Sequence, residues 1–540
     1  MHFENKTIYE IYIKSFQDSN GDGIGDIPGI TSRLDYLRDL GVDYIWITPF
    51  FMSPLKDNGY DISDYYTVNP MFGTLSDLDR LIAEADRRGI GIILDMVFNH
   101  TSTQHPWFQK ALQGDPEYME YYYFRDTPTN WHSKFGNSAW EYVPQRNKYY
   151  LHLFDKTQAD LNWSNKKVRD ELKKVLLYWK NRGVKGFRFD VVNLISKPTS
   201  FRDDEQGDGR HFYTDGENVH AYLRELVTDT GIEEYLTIGE MSSSDLTNCI
   251  GYSRKQNREL SMVFHFHHLK VDYKDMNKWE LMKPDMERLK QLLIQWQTGM
   301  QEGGGWDALF WCNHDQPRAV SRFGNDRQYW KESAKMLATA LYLMRGTPCI
   351  YQGEELGQPN AGFTDIRQYR DVESVNYYDI LQKEGKSRDE VLTILSERSR
   401  DNGRTPLCWD ASQYNGFSTV KPWIMSNSHI PEATVTAEES DPDSILNYYK
   451  RLLKLRKESS ALSKGSITFP YPRCRDVLAY ERTWGPEKKQ ILCNMTENTV
   501  TFRLPKPMGT ILLHNRPDIH IQDEILTLGP FEAIVYEEET

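Results

Sequence analysis

Hydrophobic positions along the chain fall into two alternating patterns. Short, nearly unbroken apolar runs recur at 8–16 (IYEIYIKSF), 44–50 (YIWITPF), 91–98 (GIILDMVF), 186–192 (GFRFDVV), 236–240 (LTIGE), 261–266 (SMVFHF), 308–312 (ALFWC) and 347–352 (TPCIYQ). Runs of this length suit strands buried on both faces of a parallel sheet. Between them, apolar residues three and four apart mark amphipathic helices at 76–88, 166–182 and 444–459. Ser76 with Asp79 predicts a capping box on the first, while Gly89 and Gly183 stand where the first two should stop.

Eight strands separated by helices predict an α/β fold, a (β/α)8 TIM barrel built from 1–100 and 172–462. The stretch 101–171, rich in Trp and Tyr, is too long for an ordinary barrel loop and predicts an inserted subdomain. A polar segment from 358 to 440 is expected to cover the barrel's top. From 463 to 540 the pattern changes to short alternating runs, which predict an antiparallel C-terminal β-sandwich.

Charge narrows the partners. The 540 residues carry 65 Lys and Arg against 78 Asp and Glu, a net of −13, so neither nucleic acid nor an anionic membrane is an expected partner. The start MHFENKTIYE lacks a basic head followed by an apolar stretch, and YIWITPFFM at 44–52 falls well short of the ~20 residues of a membrane span. Six scattered cysteines without CxxC spacing suggest reduced thiols, and with them a cytoplasmic location.

Chemistry in such a barrel gathers at the C-terminal ends of the strands. Three acids stand there, Asp190, Glu240 and Asp315, with His100 and His314 nearby. A lone acid in such a place more often caps the next helix. Three together point to a shared site. Arg188 lies two residues before Asp190, on the same strand face, and favours the ionised carboxylate a nucleophile requires. Glu240 follows an apolar strand, where burial favours the protonated form of a general acid. Two carboxyls in unlike environments are what glycoside hydrolysis uses.

Four segments, DMVFNH at 95–100, GFRFDVVN at 186–193, IGEM at 238–241 and NHDQPR at 313–318, resemble in order and spacing the motif regions of glycoside hydrolase family thirteen, the α-amylase superfamily. The resemblance implies Asp190 as nucleophile, Glu240 as acid/base and Asp315 as transition-state stabiliser. It implies a sugar pocket, the −1 site, lined by Asp61, Tyr60, His100, Arg188, His314 and Arg404, with an Asp61–Arg404 pair closing it. Arg404 comes from DNGRTP at 401–406, a segment similar to that of exo-acting glucosidases, and Val191 resembles the oligo-1,6-glucosidase subgroup.

Such enzymes often hold an ion in the first βα loop. In DSNGDGIGD the oxygens of Asp18, Asn20, Asp22, the Ile24 carbonyl and Asp26 alternate like the early positions of an EF-hand, although Gly29 replaces the closing glutamate. A structural Ca²⁺ or Mg²⁺ is expected there, against the alternative of a plain Gly/Asp turn.

Substrate choice turns on FHFHHLKVDY at 264–273. Oligo-1,6-glucosidases usually carry acids where this chain has His267 and Lys270, with His268 beside them. That exchange suits a phosphosugar, whose phosphate bears about −1.5 to −2 charges. Together with GGGWDALFWCNHDQPR from Gly303, FYTDG at 212–216 and SRDNGRTP at 399–406, the stretch resembles family members that cleave a small phosphorylated disaccharide. The resemblance implies trehalose 6-phosphate as the expected substrate, cleaved with retention to glucose and glucose 6-phosphate by a monomer or small homo-oligomer. The alternative is a glucosidase acting on neutral isomalto-oligosaccharides. A catalytically dead, transporter-associated relative fits poorly, because all three acids are present and no membrane segment is.

Overall fold

The eight apolar runs form eight parallel strands: β1 (Ile8–Ile11), β2 (Tyr44–Ile47), β3 (Gly91–Met96), β4 (Gly186–Phe189), β5 (Leu236–Met241), β6 (Met262–His265), β7 (Ala308–Leu309) and β8 (Thr347–Tyr351). This computed structural model describes residues 3–538 except 206, 428 and 505. Hydrogen-bonded neighbours run in the order β6-β5-β4-β3-β2-β1-β8-β7. A parallel bridge between Val263 and Asp307 joins the two ends and closes the barrel.

Most strands end earlier than their apolar runs. After Ile11 the chain turns into a short 3-10 helix, Ile13–Ser15, and the Ser15 hydroxyl donates to the Arg404 carbonyl at 2.6 Å. β4 stops at Phe189 and β7 at Leu309, so Asp190 and Asp315 lie beyond their strands, on the rim. An apolar run reports burial, and residues that cross the rim, such as Tyr12, Phe16, Phe50 and Phe310, are buried like the strands they leave.

The helix Leu75–Arg87 corrects the expected cap. Its N-cap is Thr74, whose side chain takes the Asp77 amide while Asp77 returns to Thr74, two residues before the predicted Ser76–Asp79 box. Both pairs fit the same three-residue spacing, and Ser76 is exposed inside the first turn. The helix Lys166–Asn181 is capped by Asn165, so the expected boundary at 171 falls inside it. Gly183 follows it at φ 99°, the left-handed conformation that a side chain disfavours.

Between β3 and that helix, residues 100–160 form two small antiparallel sheets over an aromatic cluster including Trp131, Trp140 and Tyr213. A buried ion pair, Lys197 to Asp160 at 2.6 Å, ties this insert to the loop after β4. The C-terminal strands make a five-stranded and a three-stranded antiparallel sheet around Leu492, Phe502, Leu526 and Ile534. Buried Arg482 joins this unit to the barrel by donating to the carbonyl of Leu343 at 2.6 Å. No disulfide forms, and among the described residues no helix is long and apolar enough to cross a membrane.

Candidate active site

Arg188, on β4, is the hub. Its guanidinium is 1% exposed and donates to Asp95 and Asp190 at 2.7 Å each, and also to Glu240. Trp46 and Tyr60 cover it, with ring centroids 4.9 and 5.8 Å from the guanidinium carbon. A buried cation holding three buried carboxylates offsets a desolvation cost that none of them could bear alone. Asp95 is itself tied to Trp46 Nε1 at 3.0 Å and the Tyr60 hydroxyl at 2.9 Å.

Glu240 is pushed up to about 8, first by burial and further by the charges of Asp190 and Asp315, with Arg188 pulling the other way. It therefore holds a proton near neutrality, as a general acid must. Asp190 and Glu240 share one guanidinium and lie close enough to interact directly. That suits double displacement better than the water-admitting gap of about 6.5–9.5 Å found in inverting enzymes. Directly after Asp190, Val191 sits at φ 34°, a strained conformation for a β-branched residue, and its amide donates to Glu240 at 3.3 Å.

Asp315 behaves oppositely. Burial opposes its ionisation, but His314, Arg400 and Arg404 outweigh that and hold it well below the usual carboxylate range. Arg404 donates to it at 2.8 Å and Arg400 at 3.3 Å.

The expected Asp61–Arg404 pair does not form. Asp61 is fully buried and accepts from Ser53, the Lys56 amide and the Asp57 amide, stabilising its own loop. Asp57 reaches the site instead and accepts from Arg400 at 3.2 Å, while Asp371 accepts from Arg400 at 2.5 Å. The reading was misplaced by four residues on both sides: Asp57 for Asp61, Arg400 for Arg404. Both alternatives stand within the same short motifs, and pairing across the barrel top decides between them. His100 is buried behind Tyr60, donating from Nε2 to the Tyr60 carbonyl at 2.9 Å.

On the leaving-group side the HHLK stretch splits. β6 ends at His265, and residues His267–Lys270 form a 3-10 turn. His268 is turned inward, donates to the Phe310 carbonyl at 2.9 Å and is pushed down to about 4, mainly by burial. It is neutral and brings no charge to the pocket. His267 is half-buried and donates to the Ser244 carbonyl at 2.7 Å. Lys270 is brought near two cations that the sequence reading missed, Lys134 from the insert and Arg210 after β4. Lys134 is lowered to about 7 by burial, then by Arg210 and Lys270, with Glu240 among the charges that oppose this; its ammonium donates to Ser242 at 3.0 Å. Lys134, Arg210 and Lys270, from three elements, thus lie within electrostatic reach of one another, and Lys134 is also within reach of Glu240. Lys134 and Arg210 lie in aromatic and charged segments with no motif to mark them.

In the first βα loop, Asp18 accepts from the amides of Asn20, Gly21 and Gly23 and from Ser418, and Asp26 caps the following helix through Gly29. Among the described residues no group of three or more His, Cys, Asp or Glu side chains forms a ready metal cluster. The alternating oxygen donors remain of the type that suits a hard cation.

Residues 10–465 match the alpha-amylase catalytic domain. The chain belongs to the alpha-amylase family, glycoside hydrolase family thirteen. Among family members it is 47% identical to the trehalose-6-phosphate hydrolase of Escherichia coli (strain K12), covering 98% of each chain. It is 41% identical to the oligo-1,6-glucosidase of Bacillus cereus, covering 99% of each. The crystal structure of trehalose-6-phosphate hydrolase from Bacillus licheniformis matches with a TM-score of 0.94 and 46% identity over 99% of both chains. The site lies where the barrel strands end.

Proposed function

We propose that the protein is a retaining α-glucosidase that hydrolyses trehalose 6-phosphate. The observation that carries the phosphate is the convergence of Lys134, Arg210 and Lys270, with Lys134 within electrostatic reach of the buried Glu240, in a chain of net charge −13. The trehalose-6-phosphate hydrolases at 45% and 47% identity over nearly the whole chain support the same substrate.

In the first step the Asp190 carboxylate attacks the anomeric carbon, and Glu240 gives its proton to the departing glycosidic oxygen. The C1–O bond breaks, glucose 6-phosphate leaves, and glucose remains esterified to Asp190. Glu240, now a carboxylate, takes a proton from water. The hydroxide formed displaces Asp190 from C1 and releases glucose with its α configuration restored. Asp315, ionised beside Arg400 and Arg404, stabilises the positive charge that develops on the sugar ring. Proton NMR of a fresh reaction should show α-glucose and glucose 6-phosphate before mutarotation; β-glucose as the first product removes the double-displacement assignment.

Isomalto-oligosaccharide hydrolysis is the second reading, supported by the oligo-1,6-glucosidases at about 41% identity. It uses the same acids but gives the cationic cluster no task. We assign the loop of Asp18, Asn20, Asp22, Ile24 and Asp26 as a structural Ca²⁺ or Mg²⁺ site, on its oxygen-only donor pattern. Calcium should raise Tm and a chelator lower it; a Tm indifferent to both rules the site out. Unpaired cysteines, five of them buried, support a cytoplasmic location. The acids, the Arg188 hub and the cations all come from one chain, which supports a monomer or small homo-oligomer.

A further inference from the structure

One buried acid in the barrel is left without a task by the mechanism. Glu10 sits on β1, 1% exposed, and its carboxylate accepts from His314 twice: from ring Nδ1 at 2.5 Å and from the backbone amide at 3.3 Å. The imidazole is sandwiched between Tyr12 and Tyr60, with interplanar angles of 8° and 9°, and Trp46 meets it edge-on. Its fully buried Nε2 has no hydrogen-bond partner; the nearest acceptor, Asp315, is 3.4 Å away. The ring is therefore clamped on three sides and through one nitrogen, while the other nitrogen waits unsatisfied beside the stabilising carboxylate.

We propose that Glu10 is a positioning residue: its carboxylate takes the Nδ1 proton's hydrogen bond, fixes His314 as an imidazolium, and thereby aims a charged Nε2–H donor at a hydroxyl of the glucosyl ring in the −1 pocket. This rests on the α-glucosidase reading of the pocket, but not on the phosphate. Burial works against a charged imidazole, yet Asp315 and Glu10 outweigh it and raise His314 to about 10. The other charges facing the ring are balanced. Arg188 is held by Asp95, Asp190 and Glu240; Arg404, which donates to the His314 carbonyl, is held by Asp315. Tyr12, Tyr60 and, beside Glu10 on β8, Cys349 and Tyr351 are all raised by burial and stay neutral. Glu10 is thus the anion that β1 supplies to the ring. A neutral imidazole here could present an acceptor lone pair at Nε2; the imidazolium presents only a donor.

Glu10→Gln keeps an acceptor for Nδ1–H but removes the charge. It should therefore let His314 lose its proton at lower pH, so that activity disappears as pH rises through the new value. The measurement is kcat/KM against pH on a neutral aryl α-glucoside, with Tm recorded alongside. In the parent the alkaline limb is set by Glu240. In Glu10→Gln, where Asp315 still raises His314 but Glu10 no longer does, the His314 value falls toward that of Glu240. The limb should then steepen and move to lower pH, with near-parental activity at the acid end and little change in Tm. An unchanged profile overturns the proposal. So does a uniform loss at every pH accompanied by a lower Tm, which would mark Glu10 as structural. The neutral substrate keeps the two readings apart: a parent that cleaves it but ignores the phosphosugar refutes only the phosphate assignment. A parent that cleaves neither refutes the pocket, and the role of Glu10 with it.

Discussion

At the residue scale, one guanidinium organises the chemistry. Arg188 keeps Asp95, Asp190 and Glu240 together, and burial raises Glu240 so that it holds a proton near neutrality, as the proposed role of general acid requires. The sign for activity follows directly: a general acid raised to about 8 works below that pH and fails above it, so kcat/KM should fall as pH rises through about 8. Glu240→Gln should lower kcat by about 10²- to 10⁴-fold with the fold intact, and that alkaline limb should vanish from the residual activity; a near-parental rate would dismiss Glu240 as the acid. Asp57 and Arg400 supply a second contrast. Arg400→Lys should lower kcat/KM by about 10- to 100-fold, the worth of a charge-assisted hydrogen bond, because lysine cannot bridge Asp57, Asp315 and Asp371 at once. Asp61→Asn should disturb stability more than turnover. The reverse ranking would restore Asp61 to the sugar pocket. The gathering of the strand-end acids at one rim was legible because they stand at the ends of the apolar runs. The pocket-closing pair was not: two Asp and two Arg stand four residues apart, and only contacts between segments more than 300 residues distant choose among them.

At the element scale, hydrophobic pattern located the strands and helices but set their ends loosely. β6 was read through Phe266, but the strand stops at His265, and the turn beyond it sends His268 inward and leaves His267 half-buried. Alternation holds only while the backbone stays extended. The capping box shows the same limit. Thr74→Ala should cost about 0.5–2 kcal/mol of stability by denaturant unfolding, whereas Ser76→Ala should cost almost nothing. Equal costs would mean the helix begins where the sequence pattern first placed it.

At the scale of the whole molecule, the barrel, the insert and the C-terminal sheets were readable from changes in period along the chain. The composition of the leaving-group pocket was not. Lys134, Arg210 and Lys270 come from the insert, the loop after β4 and the turn after β6, and only the closed fold places them together. In a protein of net charge −13 this local reversal of sign is the feature that separates a phosphosugar hydrolase from a glucosidase for neutral sugars. The most direct test is kcat/KM for trehalose 6-phosphate, trehalose and isomaltose, measured side by side at one pH and ionic strength. The phosphorylated sugar should exceed both neutral ones by at least about a hundredfold, the worth of one or two charge-assisted hydrogen bonds to phosphate. Isomaltose turned over as fast as trehalose 6-phosphate, or faster, would contradict the account.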